Sequence, residues 1–141
     1  MGWNKPSNEL LYEFNIVTPS GVTINDVIKF MESDDRWCEC IKAPYDHDKC
    51  IPITRYTGPY IGTEGCFMQK SENIIGFFKE IVDNKLIMYT SKDLWSNSLL
   101  HKLFDNGVEL CAYLKGMIST IDDNNITTIH RLLSFDIGIK D

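Results

Sequence analysis

The sequence predicts one α+β domain over residues 1–141, with a mixed or mainly antiparallel sheet of about five to seven strands packed against three to four helices. Its 141 residues are the usual size of a single domain. Apolar residues make up 43% of the chain and charged residues 24%, close to globular averages. Segments of strand and helix periodicity follow one another without strict alternation, which argues against a doubly wound parallel sheet.

The first two elements are predicted from clear periodicities. A strand with one buried face is indicated where apolar residues alternate with more polar ones, at Leu10, Tyr12, Phe14 and Ile16. After the turn TPSG, an amphipathic helix is indicated by apolar residues at helical spacing, Ile24, Val27, Ile28 and Met31. Thr23 and Asp26 have the spacing of a capping box at the start of this helix.

The middle of the chain predicts two or three strands and a second helix. Residues 36–42 and 51–57 are rich in Ile, Thr, Tyr and Trp and are predicted as strands joined by the loop APYDHDK. A third short strand is predicted at residues 66–69. Ser71 is predicted to cap a largely buried helix with apolar residues at Ile74, Ile75, Phe77, Phe78, Ile81 and Val82.

The last part of the chain predicts three strands and two helices. KLIMYT, residues 85–90, is typical of a strand, and a third helix is predicted from Ser91 or Asp93 to Gly107. VELCAYLKGM alternates and predicts a strand from residue 108. Asp122 and Asp123 are then predicted to begin a fourth helix that ends near Arg131, and residues 133–139 return to a strand pattern.

Composition argues against several classes of function. The net charge is −6, and residues 1–70 and 71–141 each carry seven basic and ten acidic side chains. Without a cluster of basic residues, the sequence predicts no duplex nucleic acid partner. No apolar run approaches the roughly 20 residues of a membrane span, and no secretory signal is recognised. The five cysteines are an odd number without a disulfide spacing, so a cytoplasmic location with free thiols is expected.

One short run concentrates possible metal ligands. RWCECIKAPYDHDKC, residues 36–50, offers Cys38, Cys40, His47 and Cys50, three sulfurs and a nitrogen that would suit zinc. The C-x-C spacing on a predicted strand differs from the usual C-x2–4-C knuckle, so plain thiols are the favoured interpretation. The carboxylates around His47 would hold a hard ion only with further oxygen ligands, and a solvated turn is the favoured interpretation there.

The stretch RYTGPYIGTEG, residues 55–65, is the predicted ligand-binding segment. Its glycines allow close approach of the backbone to a ligand. Arg55, Tyr56 and Tyr60 would hold an anion and stack on a flat ring. The alternative is a glycine-rich connection between strands with tyrosines packed at its edge.

These observations lead to two hypotheses about function. The first is a small acidic cytosolic binding or inhibitory protein, of the immunity-factor, viral or phage antagonist or adaptor type, whose partner is a protein or a small ligand. It requires no cofactor and no catalytic residues, and no local signature of a serine, cysteine or nucleotide-binding enzyme is found. The alternative is a zinc-binding or cysteine-dependent enzyme centred on residues 38–50.

Overall fold

A computed structural model describes residues 9–56, 73–121, 123–124 and 127–140. These residues form six strands and four helices. In chain order they are β1 Glu9–Val17, α1 Ile24–Glu32, α2 Asp35–Lys42, β2 Pro52–Arg55, β3 Ile74–Val82, β4 Lys85–Ser91, α3 Lys92–Asn97, α4 Leu100–Asp105, β5 Leu110–Ile121 and β6 Thr127–Ile139. The predicted α+β class is therefore confirmed, whereas the predicted strand at residues 66–69 lies outside the described residues.

The six described strands form a closed barrel in the order β1-β4-β3-β2-β6-β5. Four of the strand pairs are antiparallel, and the parallel pairs β1–β5 and β2–β6 complete the ring. Both parallel pairs are short: β1 meets β5 at Asn15–Val17, and β2 meets β6 at Thr54 and Arg55. The sheet is thus mixed, as predicted, but its closure into a barrel was not part of the prediction.

The first strand and helix form as predicted. Thr23 accepts a hydrogen bond from the backbone N–H of Asp26, and the Asp26 carboxylate accepts one from the backbone N–H of Thr23. This reciprocal capping box satisfies two N–H groups that would otherwise lack intrahelical partners. Val27 and Met31, one turn apart, are buried and fix the orientation of α1.

The predicted strand at residues 36–42 is wrong, because this segment is the helix α2. Asp34 accepts a hydrogen bond from the backbone N–H of Arg36 and starts the helix. Trp37 and Cys40, three residues apart, are its buried side chains, whereas Glu39 and Lys42 are exposed. The helical spacing of these two residues outweighs the strand preference of Trp and Ile.

The predicted second helix is also wrong over its apolar residues, because Ile74–Val82 is the strand β3; its predicted cap, Ser71, lies outside the described residues. Strands that pack on both faces have nearly continuous apolar sequences, which resemble buried helices. The feature that indicates a strand here is the two-residue turn that follows it. Asp83 and Asn84 join β3 to β4 and have φ of 51° and 64°. Two consecutive residues with positive φ are typical of a tight β-hairpin.

From Thr127 onward, the predicted fourth helix is instead the beginning of β6, whereas its predicted first residue, Asp122, lies outside the described residues. This strand starts at Thr127 and pairs with β5 from Ile121 back to Leu110. The run of Thr127, Thr128 and Ile129 is β-branched and favours a strand. In contrast, the later strand pattern at residues 133–139 was predicted correctly and forms the second half of β6.

The predicted third helix consists of two short helices, α3 and α4. Ser98 between them has an extended backbone, with φ −80° and ψ 146°, and its backbone N–H bonds to the Trp95 carbonyl. Gly107 follows α4 with φ 82°, the left-handed conformation expected for a glycine after a helix. The end of the helical segment was thus predicted, and the interruption was not.

Aromatic side chains from helix and sheet meet in the core. The Trp37 ring contacts Phe78 and Phe135 edge to face, with centroids 5.1 and 6.0 Å away. Its indole N–H donates to the Leu132 carbonyl at 2.8 Å, so the polar atom of this fully buried side chain is satisfied. Trp37 therefore joins α2 to β3 and β6.

Candidate functional site

The two cysteines of α2, Cys38 and Cys40, lie in different environments. Because a helix turns about 100° per residue, Cys38 and Cys40 cannot share a face as they would on the predicted strand. Cys40 is buried in the core, and burial raises the pKa of its thiol to about 11. The single S–H of Cys38 lies within hydrogen-bonding distance of two backbone carbonyls, those of Met31 and Glu32, at 3.6 and 3.3 Å. Cys40 is therefore part of the packed core, whereas Cys38 lies against the carbonyls at the end of α1.

The four predicted zinc ligands do not converge. Within the described residues, the one group of three possible ligands close enough to share an ion is Asp46, His47 and Asp48, with ligand atoms within 4.8 Å of one another. Asp46 also accepts a hydrogen bond from the backbone N–H of Asp48 at 2.9 Å, which is the solvated aspartate turn favoured from the sequence. Cys50 donates to the His47 carbonyl, and burial raises the pKa of its thiol.

The predicted ligand-binding residues Arg55 and Tyr56 lie where β2 ends, and Tyr60 lies outside the described residues. The Tyr56 ring stacks on Tyr113, with centroids 4.5 Å apart and an interplanar angle of 28°. Its Cβ also lies against Gly138, where an added Cβ would be only 2.8 Å away. Tyr56 therefore packs β2 against β5 and β6, and its contact with a ligand stays a prediction.

Next to Tyr56, the structure buries a polar cluster that the sequence analysis missed. It consists of Thr54, Lys115 and Asp136, each at most 3% exposed. The Thr54 hydroxyl donates to Asp136 Oδ1, and Lys115 Nζ lies 3.3 Å from the Thr54 hydroxyl and 3.8 Å from Asp136 Oδ1. The signal was present in the sequence, since Lys115 and Asp136 interrupt two apolar strands.

A different region offers an open apolar surface. A cleft of about 260 Å³ lies between α1, α2 and β3, with Ile41 on its wall 47% exposed. Two exposed carboxylates, Glu32 and Glu80, line it together with apolar side chains. Its full lining is Ile28, Met31, Glu32, Ile41, Phe78, Glu80 and Ile81. Such a surface, apolar inside and acidic at the edge, can receive an apolar group attached to a cation.

Comparisons with known proteins assign no role to these sites. No family model, curated protein or solved structure matches the chain. Within the described residues, no helix is both long and apolar enough to span a membrane.

Proposed function

We propose that this chain is a small acidic cytosolic binding protein, of the inhibitor or adaptor type, that acts by occupying a protein partner. The observation that carries the proposal is the cleft between α1, α2 and β3, because it combines an apolar lining, including the exposed Ile41, with carboxylates. Large apolar side chains exposed beside a cleft are typical of interaction surfaces.

The size of this cleft favours a side chain of a partner over a free small molecule. Its volume of about 260 Å³ is below the roughly 300–1,000 Å³ of most small-molecule sites. A protein partner would place one or two apolar side chains between Ile41 and Ile81 and continue over the surrounding surface. Apolar anchors in pockets of this kind commonly dominate the binding energy of protein complexes.

The negative charges at the cleft indicate which residues should lie beside the apolar anchor of the partner. Glu32 and Glu80 line the cleft, and the whole chain carries a net charge of −6. Lysine or arginine beside the apolar anchor would therefore increase the association rate and select the register.

Matched charge variants test this proposal. Ile41→Asp places a charge on the cleft wall, and Leu99→Asp makes the same change at a side chain that is 62% exposed and does not line the cleft. Both variants and the wild type would be used in pull-downs with quantitative mass spectrometry. We expect a protein that is captured by the wild type and by Leu99→Asp and is lost with Ile41→Asp.

A synthetic probe makes the test independent of the native partner. Fluorescence anisotropy would compare a labelled peptide with one leucine flanked by lysines and the same peptide flanked by glutamates. We expect binding of the lysine peptide alone, and weaker binding to Ile41→Asp although that variant adds an attractive charge. Equal behaviour of the two peptides, or of Ile41→Asp and Leu99→Asp, would contradict the proposal.

Residues 55–65, which the sequence predicts to bind a ligand, would form a second contact with the partner. If Arg55, Tyr56 and Tyr60 touch the partner, Arg55→Ala should weaken capture without changing stability. Because Tyr56 packs on Tyr113, its removal would also affect folding, so Arg55 is the informative position.

A further inference from the structure

A second cleft lies on β3 and β4 beside α3. It has a volume of about 390 Å³, within the range of small-molecule sites. Its lining is mostly apolar and consists of Phe77, Tyr89, Thr90, Ser91, Asp93, Leu94 and Asn97. None of these residues lines the cleft assigned above to a protein partner.

The part of the cleft floor that a ligand can reach is the partly exposed Phe77, and the fully buried Tyr89 supports it from behind. Phe77 and Tyr89 are paired across β3 and β4, and their rings stack with centroids 5.5 Å apart. The Tyr89 hydroxyl donates to the Pro44 carbonyl at 2.5 Å, and its ring also contacts Tyr45. A floor fixed from two sides requires little reorganisation when a flat ligand binds.

The polar side chains of the cleft differ in their hydrogen bonds and in their exposure. The Thr90 hydroxyl donates to the Ile75 carbonyl, and the Ser91 hydroxyl accepts from the backbone N–H of Leu94. Asp93 and Asn97 are instead exposed on α3, four residues apart and hence on the same side of the helix. They place a carboxylate and an amide beside the aromatic floor.

We propose that this cleft binds a small aromatic amine in its protonated form. The ring would lie on Phe77 and Leu94, and the ammonium group would face Asp93 and the amide oxygen of Asn97. Asp93 is the one charged residue in the lining, so the site favours a cation over a carboxylate or phosphate. Aromatic faces add to the attraction, since they also stabilise a nearby cation.

Three probes with the same phenylethyl group test the role of charge. Amide shifts in ¹H–¹⁵N NMR spectra would be followed during titration at pH 7 with 2-phenylethylamine, 2-phenylethanol and 3-phenylpropionate. We expect saturable shifts at Phe77, Leu94 and Asn97 with the amine, affinity about fivefold lower for the alcohol, and no saturation with the carboxylate, as an exposed ion pair implies.

Two variants with the same charge change complete the experiment. Asp93→Asn should lower the affinity for the amine about fivefold and leave the affinity for the alcohol unchanged. Asp83→Asn, in the turn between β3 and β4 and outside the lining, should change neither. The proposal is overturned by equal binding of the three probes, by equal effects of the two variants, or by the absence of saturable shifts at the cleft.

Discussion

Strand β6 has two buried faces of opposite chemistry, and each meets a different part of the barrel. Phe135 and Ile137 belong to the apolar core, where Phe135 contacts Trp37. Ser134 and Asp136 alternate with them and point to the other face, where Asp136 meets Thr54 and Lys115. These four residues are all fully buried, so exposure does not distinguish the two faces.

The difference lies in what each face contributes to folding. Apolar burial stabilises roughly in proportion to area, without requiring a particular partner. Lys115 and Asp136 must first lose their hydration, and their attraction offsets this loss only in a well-defined geometry. The core face therefore supplies stability, whereas we infer that the polar face, with Thr54 on β2, Lys115 on β5 and Asp136 on β6, restricts how these strands can align. Four predictions test this distinction, from the largest effect to the smallest.

Truncation on the core face should have the largest effect. Phe135→Ala removes a ring that contacts Trp37 and Phe78, and we expect a loss of about 4 kcal/mol in the free energy of unfolding. Urea denaturation would measure it. Ile139→Ala is the matched control, on the same face of β6 but 51% exposed, and should cost less than about 1 kcal/mol. Similar losses for the two variants would contradict the assignment of the core face.

Removal of one charge on the polar face should have the next largest effect. Lys115→Met takes the ammonium away from buried Asp136, and we expect a loss of about 3 kcal/mol. The double variant Lys115→Met, Asp136→Leu should be more stable than Lys115→Met alone, because no buried charge then remains in the pair. The single variant Asp136→Leu completes a double-mutant cycle, and additive losses in this cycle would show that the two charges do not interact.

Loss of a neutral hydrogen bond on the same face should cost less. The Ser134 hydroxyl donates to the Pro52 carbonyl at 2.6 Å, and Ser134→Ala should lower the free energy of unfolding by about 1 kcal/mol. Ser96→Ala, an exposed change on α3, should have almost no effect. A cost for Ser134→Ala equal to that for Lys115→Met would remove the distinction between neutral and ionic members of the polar face.

The effect that is smallest at neutral pH should appear only in alkaline solution, and it concerns a thiol in the apolar core. Burial raises the pKa of Cys40 from 9.0 to about 11. Between these values the unfolded chain has released the proton and the folded protein still holds it, so the free energy of unfolding should fall as the pH rises. Tyr45, whose pKa burial raises to about 12, should extend the decline.

Urea denaturation at several pH values between 8 and 11 would measure this slope. Cys40→Ala should make the decline less steep, and the contribution of Tyr45 should remain. Ile53→Val, a core truncation without a titratable group, should shift the curve downward without changing its shape. A slope that is unchanged in Cys40→Ala would show that the thiol does not titrate between these values.

The sequence predicted best where one periodicity dominates. β1 and the first half of β5 alternate regularly, and α1 has both its apolar stripe and its capping residues Thr23 and Asp26. These signals are local, so they depend little on the rest of the fold. Gly107 likewise marks a helix end through its own backbone conformation.

Two of the wrong predictions, for β3 and for the start of β6, concern segments whose secondary structure depends on pairing with distant strands. The apolar run of β3 is equally compatible with a buried helix, and only its pairing with β2 and β4 makes it a strand. The same holds for β6 near Thr127, which pairs with β5. Among the candidate sites, the cysteine-rich segment 36–50 was misjudged because α2 is a helix, so Cys38 and Cys40 do not lie on one face. Both clefts combine residues from separate elements, so no local pattern marks them.

The short parallel seam between β1 and β5 has a consequence for synthesis. Asn15 pairs with Cys111, so the first strand cannot complete its pairing until a much later part of the chain has been made. At roughly 5–20 residues per second, a nascent chain waits several seconds with one edge of β1 exposed. Exposed edges recruit other strands, so a chaperone that shields the nascent N-terminal strand should raise the yield of folded protein.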